Sequence, residues 1–197
     1  MTNFSAIVLA AGLSSRMKGG HKLLMPMEGK TIFERSLKSI TEANFSEIIV
    51  VLGNEAEKIE NLIPKDNRLR TLMNPTFEQG MTSSIQVGVT EATSDVYVIC
   101  LADMPFLTAA DYNQLMNRFR EENGKNILVP LYIGQKGNPV FFASDYQKEI
   151  LEHTDPNGCN QMVKLNSEKV DFFETNNLRF TLDIDTQTDL DKFTNAE

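Results

Sequence analysis

The sequence is poor in the residues that hold a chain together without a core. It has 197 residues and only two cysteines, Cys100 and Cys159. Two thiols cannot supply a four-ligand zinc site by themselves, and nothing around them signals a disulfide framework. Cys100 lies in the apolar run VYVICLAD, where a free cysteine acts as a small packing residue. Cys159, in PNGCNQ, is assigned no role. A basic excess is missing too: the formal net charge is −8. That speaks against long nucleic acid, which wants a basic stripe, but leaves room for a small anion held by a few local cations. No apolar run is long enough to cross a membrane, since residues 6–13 fall far below the ~18 that a spanning helix needs. The same stretch has no Lys or Arg ahead of Arg16, so the positive start of a secretory signal is absent. The expectation is a soluble, cytoplasmic protein with neither nucleic acid nor membrane as a partner. No repeat, low-complexity tract or Gly/Pro/Ser-rich linker splits the chain. With 41% hydrophobic and 23% charged residues, residues 1–197 are expected to form one domain.

What is present alternates between two periodicities. SAIVLA (5–10), EIIVVL (47–52), LRTLMN (69–74) and DVYVICLAD (95–103) read as strands, the apolar ones buried on both faces. NILVPLYI (126–133), PVFFA (139–143), KVDFFE (169–174) and TLDIDT (181–186) add four more. Between them, residues 31–44 read as a helix with Thr31 and Glu34 at capping-box spacing and Ile32, Phe33, Leu37 and Ile40 on its apolar face. Asn54 is expected to cap a short helix closed by Pro64. Residues 82–92 are helical in spacing despite Gly88. Thr108 and Asp111 form a second capping box, Ser144 opens a short helix, and a last helix starts at Gln187. This order predicts an α/β fold, a Rossmann-like three-layer α/β/α arrangement with a mainly parallel sheet, whose ligands bind beyond the carboxyl ends of the strands.

Three stretches at such ends carry the chemistry. After the first strand comes AAGLSSRMKGGHK, where small residues let backbone N–H groups approach a phosphate while Arg16, Lys18 and Lys22 close on it. It is neither a Walker A loop nor a dinucleotide fingerprint, because the second glycine of each pattern is missing. A solvated Gly/Ser loop is the alternative. After the fourth strand comes LADMP. Asp103 ends a very apolar strand, where a carboxylate is costly without a partner, and Mg²⁺ suits it. A turn aspartate is the alternative, although Thr108 already fills the cap. In TLDIDT, Asp183 and Asp185 would share one face of a strand and repel unless a cation or solvent relieves them. His21 is a candidate phosphate contact, although a lone loop histidine is more often merely exposed.

Taken together, LAAGLSSRM with Lys22, LADMP, GNPVFF and DIDTQTDL resemble the molybdenum-cofactor nucleotidyltransferases, the MobA/MocA-like branch of the NTP-transferase fold. The resemblance spans nearly the whole chain in the family's order. It implies transfer of an NMP unit to a phosphorylated acceptor. It places Leu9, Ala10, Ala11 and Gly12 around the nucleotide and Arg16 and Lys22 on its phosphates. Asp103 matches the metal-binding aspartate, Asp185 a position beside the metal, and Asn138 and Pro139 the acceptor side. Within NPTFEQGMTSSIQVG it puts Gly80, Ser83 and Ser84 near the base, where serines also serve as helix caps. LAAG and KLLMP are closer to the cytidylyltransferase branch than to the guanylyltransferase branch with its LAGG. CTP, or else GTP, is then the donor, Mg²⁺ the cofactor and a molybdopterin-type acceptor the second substrate. A molybdenum hydroxylase or its insertion chaperone would be the recipient. A sugar- or polyol-phosphate nucleotidyltransferase and a non-catalytic cofactor carrier of the same fold remain open. Lys18 stands where relatives have Gly, and TQTD replaces T-P-E-D.

Overall fold

Apolar runs followed by glycine or aspartate build a central sheet in the computed structural model, which describes residues 2–14, 20–121 and 125–194. An interior strand, β1 (Phe4–Ala10), has β4 (Glu47–Leu52) on one side and β6 (Val96–Leu101) on the other, both parallel to it. Between β1 and β4 the chain makes a small hairpin, β2 (Pro26–Met27) with β3 (Lys30–Thr31), and then helix α1 (Ile32–Glu42). After β4 come α2 (Ala56–Glu60), β5 (Leu69–Met73) and α3 (Met81–Glu91), which returns the chain to β6. Helix α4 (Ala109–Glu121) leads to β7 (Ile127–Tyr132), β8 (Gln135–Lys136) and β9 (Val140–Ala143). The remainder is α5 (Gln147–Glu152), α6 (Asn160–Leu165), β10 (Val170–Thr175) and α7 (Gln187–Thr194). The sheet order is β10-β7-β9-β6-β1-β4-β5, with β8 paired to β7. β9 runs antiparallel to both its neighbours, β6 and β7.

Alternate residues of the strands face opposite layers. Ala6, Val8, Ile48, Val50, Val98 and Cys100 pack with Phe33 and Leu37 of α1 and Tyr112 and Leu115 of α4. Ile7, Ile49, Val51, Tyr97 and Ile99 pack with Ile85 and Val89 of α3, Ile150 of α5 and Met162 of α6. Gly88 explains how close α3 comes: a Cβ there would lie 2.3 Å from Cγ2 of Ile7, so a side chain would push helix from sheet. The two predicted capping boxes are present. Thr31 Oγ1 accepts from Glu34 N–H at 3.1 Å, and Thr31 N–H donates to Glu34 Oε2 at 2.8 Å. Thr108 and Asp111 repeat the pattern at 3.3 and 2.8 Å.

Two expectations fail. Glu55, not Asn54, precedes α2, in a left-handed conformation (φ 52°) with no side-chain cap. TLDIDT is not a strand. Residues 178–181 form a 3₁₀ turn, and Leu182–Asp185 run on without a ladder partner, held by Ile184 N–H on Asp103 O at 3.0 Å. A period-two pattern makes a strand only where it meets a ladder partner, and residues 182–185 meet none among the described residues.

Candidate active site

Where β1 and β6 end side by side, the crossover of the chain changes direction: from β1 it moves out to β4 and β5, then returns to β6 on the far side. Such a switch point leaves a crevice at the strands' carboxyl ends. The crevice is a cavity of about 350 Å³ lined by Leu9, Ala11, Gly12, Leu101 and Asp103 from the two strand ends, joined by residues from three other segments.

The first of these is the return of the loop after β1. Lys22 N–H donates to Ser14 Oγ at 3.1 Å, and the His21 ring Nε2 lies 3.0 Å from Gly12 O. These ties bring Lys22 back to the strand end it left. Its ammonium is hydrogen-bonded to Asp103 and, at 2.8 Å, to Asp185 Oδ1. Burial alone would pull the Lys22 pKa down, but the charges and hydrogen bonds of Asp103 and Asp185 outweigh it and hold it above its usual value. The lysine stays protonated.

The second segment precedes α3. Asn74 is fully buried, and its amide donates to Ser83 Oγ and Ser84 Oγ at 2.9 Å each, while Thr76 N–H donates to its Oδ1 at 2.9 Å. The helix is therefore not capped by its serines. Gly80 is the cap residue, at φ 106°, and a Cβ on it would strike Pro156 O at 2.6 Å. Phe77, Glu78, Gly80, Met81 and Ser84 line the cavity; Ser83 instead turns its hydroxyl to Gly80 O at 2.8 Å.

The third segment carries Asp183 and Asp185. With Asp103 they form a group whose carboxylate oxygens lie within 4.8 Å of one another. Burial, then the neighbouring charges of Asp103 and Asp185, raise the Asp183 pKa, against the pull of its own backbone N–H and Lys22. One oxygen of Asp103, Oδ1, is buried with no hydrogen-bond partner among the described residues. Among the described residues three carboxylates stand against one ammonium, an acidic balance that favours a cation, and an all-oxygen set suits Mg²⁺ or Mn²⁺. These residues fit a metal site on charge, donor type and the orphaned oxygen alike.

Of the residues expected at the site, Leu9, Ala11, Gly12, Lys22, Gly80, Ser84, Asp103 and Asp185 are together on this cavity. Ala10 is turned into the core, and Arg16 lies outside the described residues. Asn138 and Pro139 stand just before β9, level with the end of β6 by register, but not on the cavity wall; Asn138 N–H is bound to Phe180 O at 2.8 Å. Asp183, Phe77, Met81 and the buried hub Asn74 are additions. Asp183 was visible in the sequence as a second carboxylate, whereas only the fold brings Phe77 and Met81 to the wall. Cys100 and Cys159 are both buried away from it, and burial pushes the Cys159 thiol up to about 12.

A model of the MobA-like NTP transferase domain matches residues 6–170. The chain belongs to the MobA-like NTP transferase family. Among proteins of this family it is 28% identical to the molybdenum cofactor cytidylyltransferase of Escherichia coli K12, over 96% of this chain and 94% of that one. It is 32% identical to a probable molybdenum cofactor guanylyltransferase of Methanosarcina acetivorans, over 75% of this chain and 66% of the other. The fold matches that of Rv0371c from Mycobacterium tuberculosis H37Rv with a TM-score of 0.85, 23% identity and coverage of 99% and 98%. Asp183 and Asp185 lie beyond the stretch matched by the family model. No helix among the described residues is long and apolar enough to cross a membrane.

Proposed function

We propose that this MobA-like transferase moves CMP from CTP onto the phosphate of molybdopterin and releases pyrophosphate, as a single-domain cytoplasmic enzyme supplying a molybdenum hydroxylase. The observation that carries the reading is Lys22, bound to Asp103 and Asp185 at the end of β6 while its backbone is tied to Ser14 beside Gly12. Among the described residues one cation and a carboxylate cluster thus face a small-residue turn, surroundings that suit a metal-bound triphosphate. Likeness to a cytidylyltransferase over nearly the full length of both chains supports cytosine. Ala11 supports it too, since its methyl narrows the wall.

In this reaction an acceptor phosphate oxygen attacks the α-phosphorus, the new O–P bond forms, and the bond to the bridging oxygen of pyrophosphate breaks. The attacking oxygen is already ionised near neutral pH, so no side chain need accept a proton. The chain works by positioning and charge compensation, which dominate phosphoryl chemistry. Lys22, and Arg16 by resemblance, hold the phosphates and offset charge on the departing pyrophosphate. Gly12 and Gly80 let backbone approach the nucleotide. Asp103, Asp183 and Asp185 would hold Mg²⁺, which supplies Lewis-acid stabilisation of phosphate charge when bound. Asn138 and Pro139 mark the side from which the acceptor enters.

The 32% identity to a probable guanylyltransferase favours GTP as the second reading. Pyrophosphate release measured across four NTPs with molybdopterin and Mg²⁺ separates the two: CTP is expected to be fastest, and GTP in the lead overturns the assignment. Release supported by a sugar 1-phosphate instead of molybdopterin moves the protein to another acceptor class. Asp103→Ala is expected to abolish release with the fold intact by circular dichroism; near-normal turnover refutes the carboxylate's role.

A further inference from the structure

His21 is only 5% exposed, yet it stands on the wall of the nucleotide cavity, and its ring uses one of its two nitrogens. Nε2 lies 3.0 Å from Gly12 O; Nδ1 is buried with no partner among the described residues. A carbonyl has only lone pairs to offer, so Nε2 carries the proton and Nδ1 is bare. Burial holds the ring's pKa below its usual value, in keeping with a neutral ring. A carbonyl at the lip of an anion pocket is a hazard, because its negative end repels phosphate. In a planar trans peptide the carbonyl and the following N–H point in opposite directions. Fixing Gly12 C=O on the ring therefore also fixes the direction of Leu13 N–H. The next residue of the chain, Lys22, is tied to Ser14 at 3.1 Å. Two rungs, 12 to 21 and 14 to 22, lock the turn to the lysine.

We propose that His21 is a positioning residue for nucleotide binding: its Nε2–H turns the Gly12 carbonyl away from the phosphates and sets the spacing between the Gly12–Ser14 turn and Lys22. The inference rests on the nucleotide reading above, but not on which base or which acceptor is used.

The test compares two variants of the full chain with the parent. His21→Phe keeps the ring's bulk and removes the donor; His21→Gln places an amide N–H at about the reach of Nε2. Affinity is measured by calorimetry for whichever of the four NTPs the parent binds best, in Mg²⁺, so that a wrong choice of base shows in the parent and leaves the comparison valid. Thermal melting is followed in parallel. H21F is expected to weaken NTP binding about tenfold, the loss typical of a hydrogen bond removed from a group left buried. H21Q is expected to restore binding to within about threefold of the parent. A ring that merely fills space predicts the reverse order, with H21F binding normally, and that result overturns the proposal. Equal loss in both variants overturns it as well. A parent that binds no NTP overturns the nucleotide reading itself, and this inference with it.

Discussion

In the proposed reaction Lys22 does two things with one ammonium: it compensates a carboxylate cluster and it faces phosphate. Its raised pKa, owed to Asp103 and Asp185 against the cost of burial, keeps it charged for both. Lys22→Ala is expected to lower kcat about 100-fold while the KM for CTP changes less than about fivefold, the mark of a contact that matters most as charge develops. Steady-state pyrophosphate release checks the split. In the proposed reaction Ala11 acts on base choice through a neighbour. Its Cβ, like Cβ and Cγ of Phe77, lies 2.8 Å from where a Cβ of Gly53 would sit, so methyl and ring converge over that glycine. Removing the methyl gives the ring and a larger base room. Ala11→Gly is expected to raise the GTP-to-CTP ratio of kcat/KM about tenfold, the scale of one methyl in an apolar pocket. An unchanged ratio in the same assay would show that the methyl plays no part in choosing the base.

At the scale of elements, α4 begins with a cap that does more than cap. Asp111 Oδ2 accepts from Thr108 N–H at 2.8 Å, and the two oxygens also accept from Arg179 at 3.0 and 2.8 Å and from Asn177 at 2.7 Å. The pair thereby anchors the turn from which Asp183 and Asp185 continue. Burial pushes the Asp111 carboxyl up, but the bonds from Arg179 and Thr108 win and its pKa is lowered. A carboxyl with a depressed folded pKa stabilises above its unfolded value of about 3.9 and loses that contribution as pH falls through the folded value. Asp111→Ala is expected to cost about 2–3 kcal/mol at pH 7, less than a fully buried pair because Arg179 is half exposed, and to flatten the loss of stability below about pH 4. Urea melts at several pH values test both. The sequence held the Thr108–Asp111 spacing but not its partner, since Arg179 is 68 residues away. Elements with strong local signals, such as EIIVVL and the capped α1, were legible. The short α6 and the hairpin β2–β3 were not, because each makes sense only against tertiary neighbours.

For the whole molecule, the strand–helix alternation was enough to read the layers, while the antiparallel β9 inside a parallel sheet was not, since direction leaves no mark on an apolar run. The site was half legible. LAAG, Lys22 and Asp103 follow strands the sequence announces, and Asp183 and Asp185 reached the cluster although the strand expected to align them never forms. Like charges so close burden the metal-free fold. Mg²⁺ at about 100 times its Kd is expected to raise Tm by about 5–10 °C. The double variant Asp183→Asn with Asp185→Asn is expected to melt higher than the parent without Mg²⁺ and to lose the shift with it. Thermal scans with and without the ion check both statements; a shift that survives in the double variant places the ion elsewhere.

The pocket draws on residues 9–14, 21–23, 77–84, 101–103 and 183–185, and its last two carboxylates follow every strand among the described residues. A nascent polypeptide therefore has the residues of all these strands in hand before the two aspartates are made. In the proposed reaction, a copy broken off before residue 183 lacks two of the three carboxylates and so spares its nucleotide.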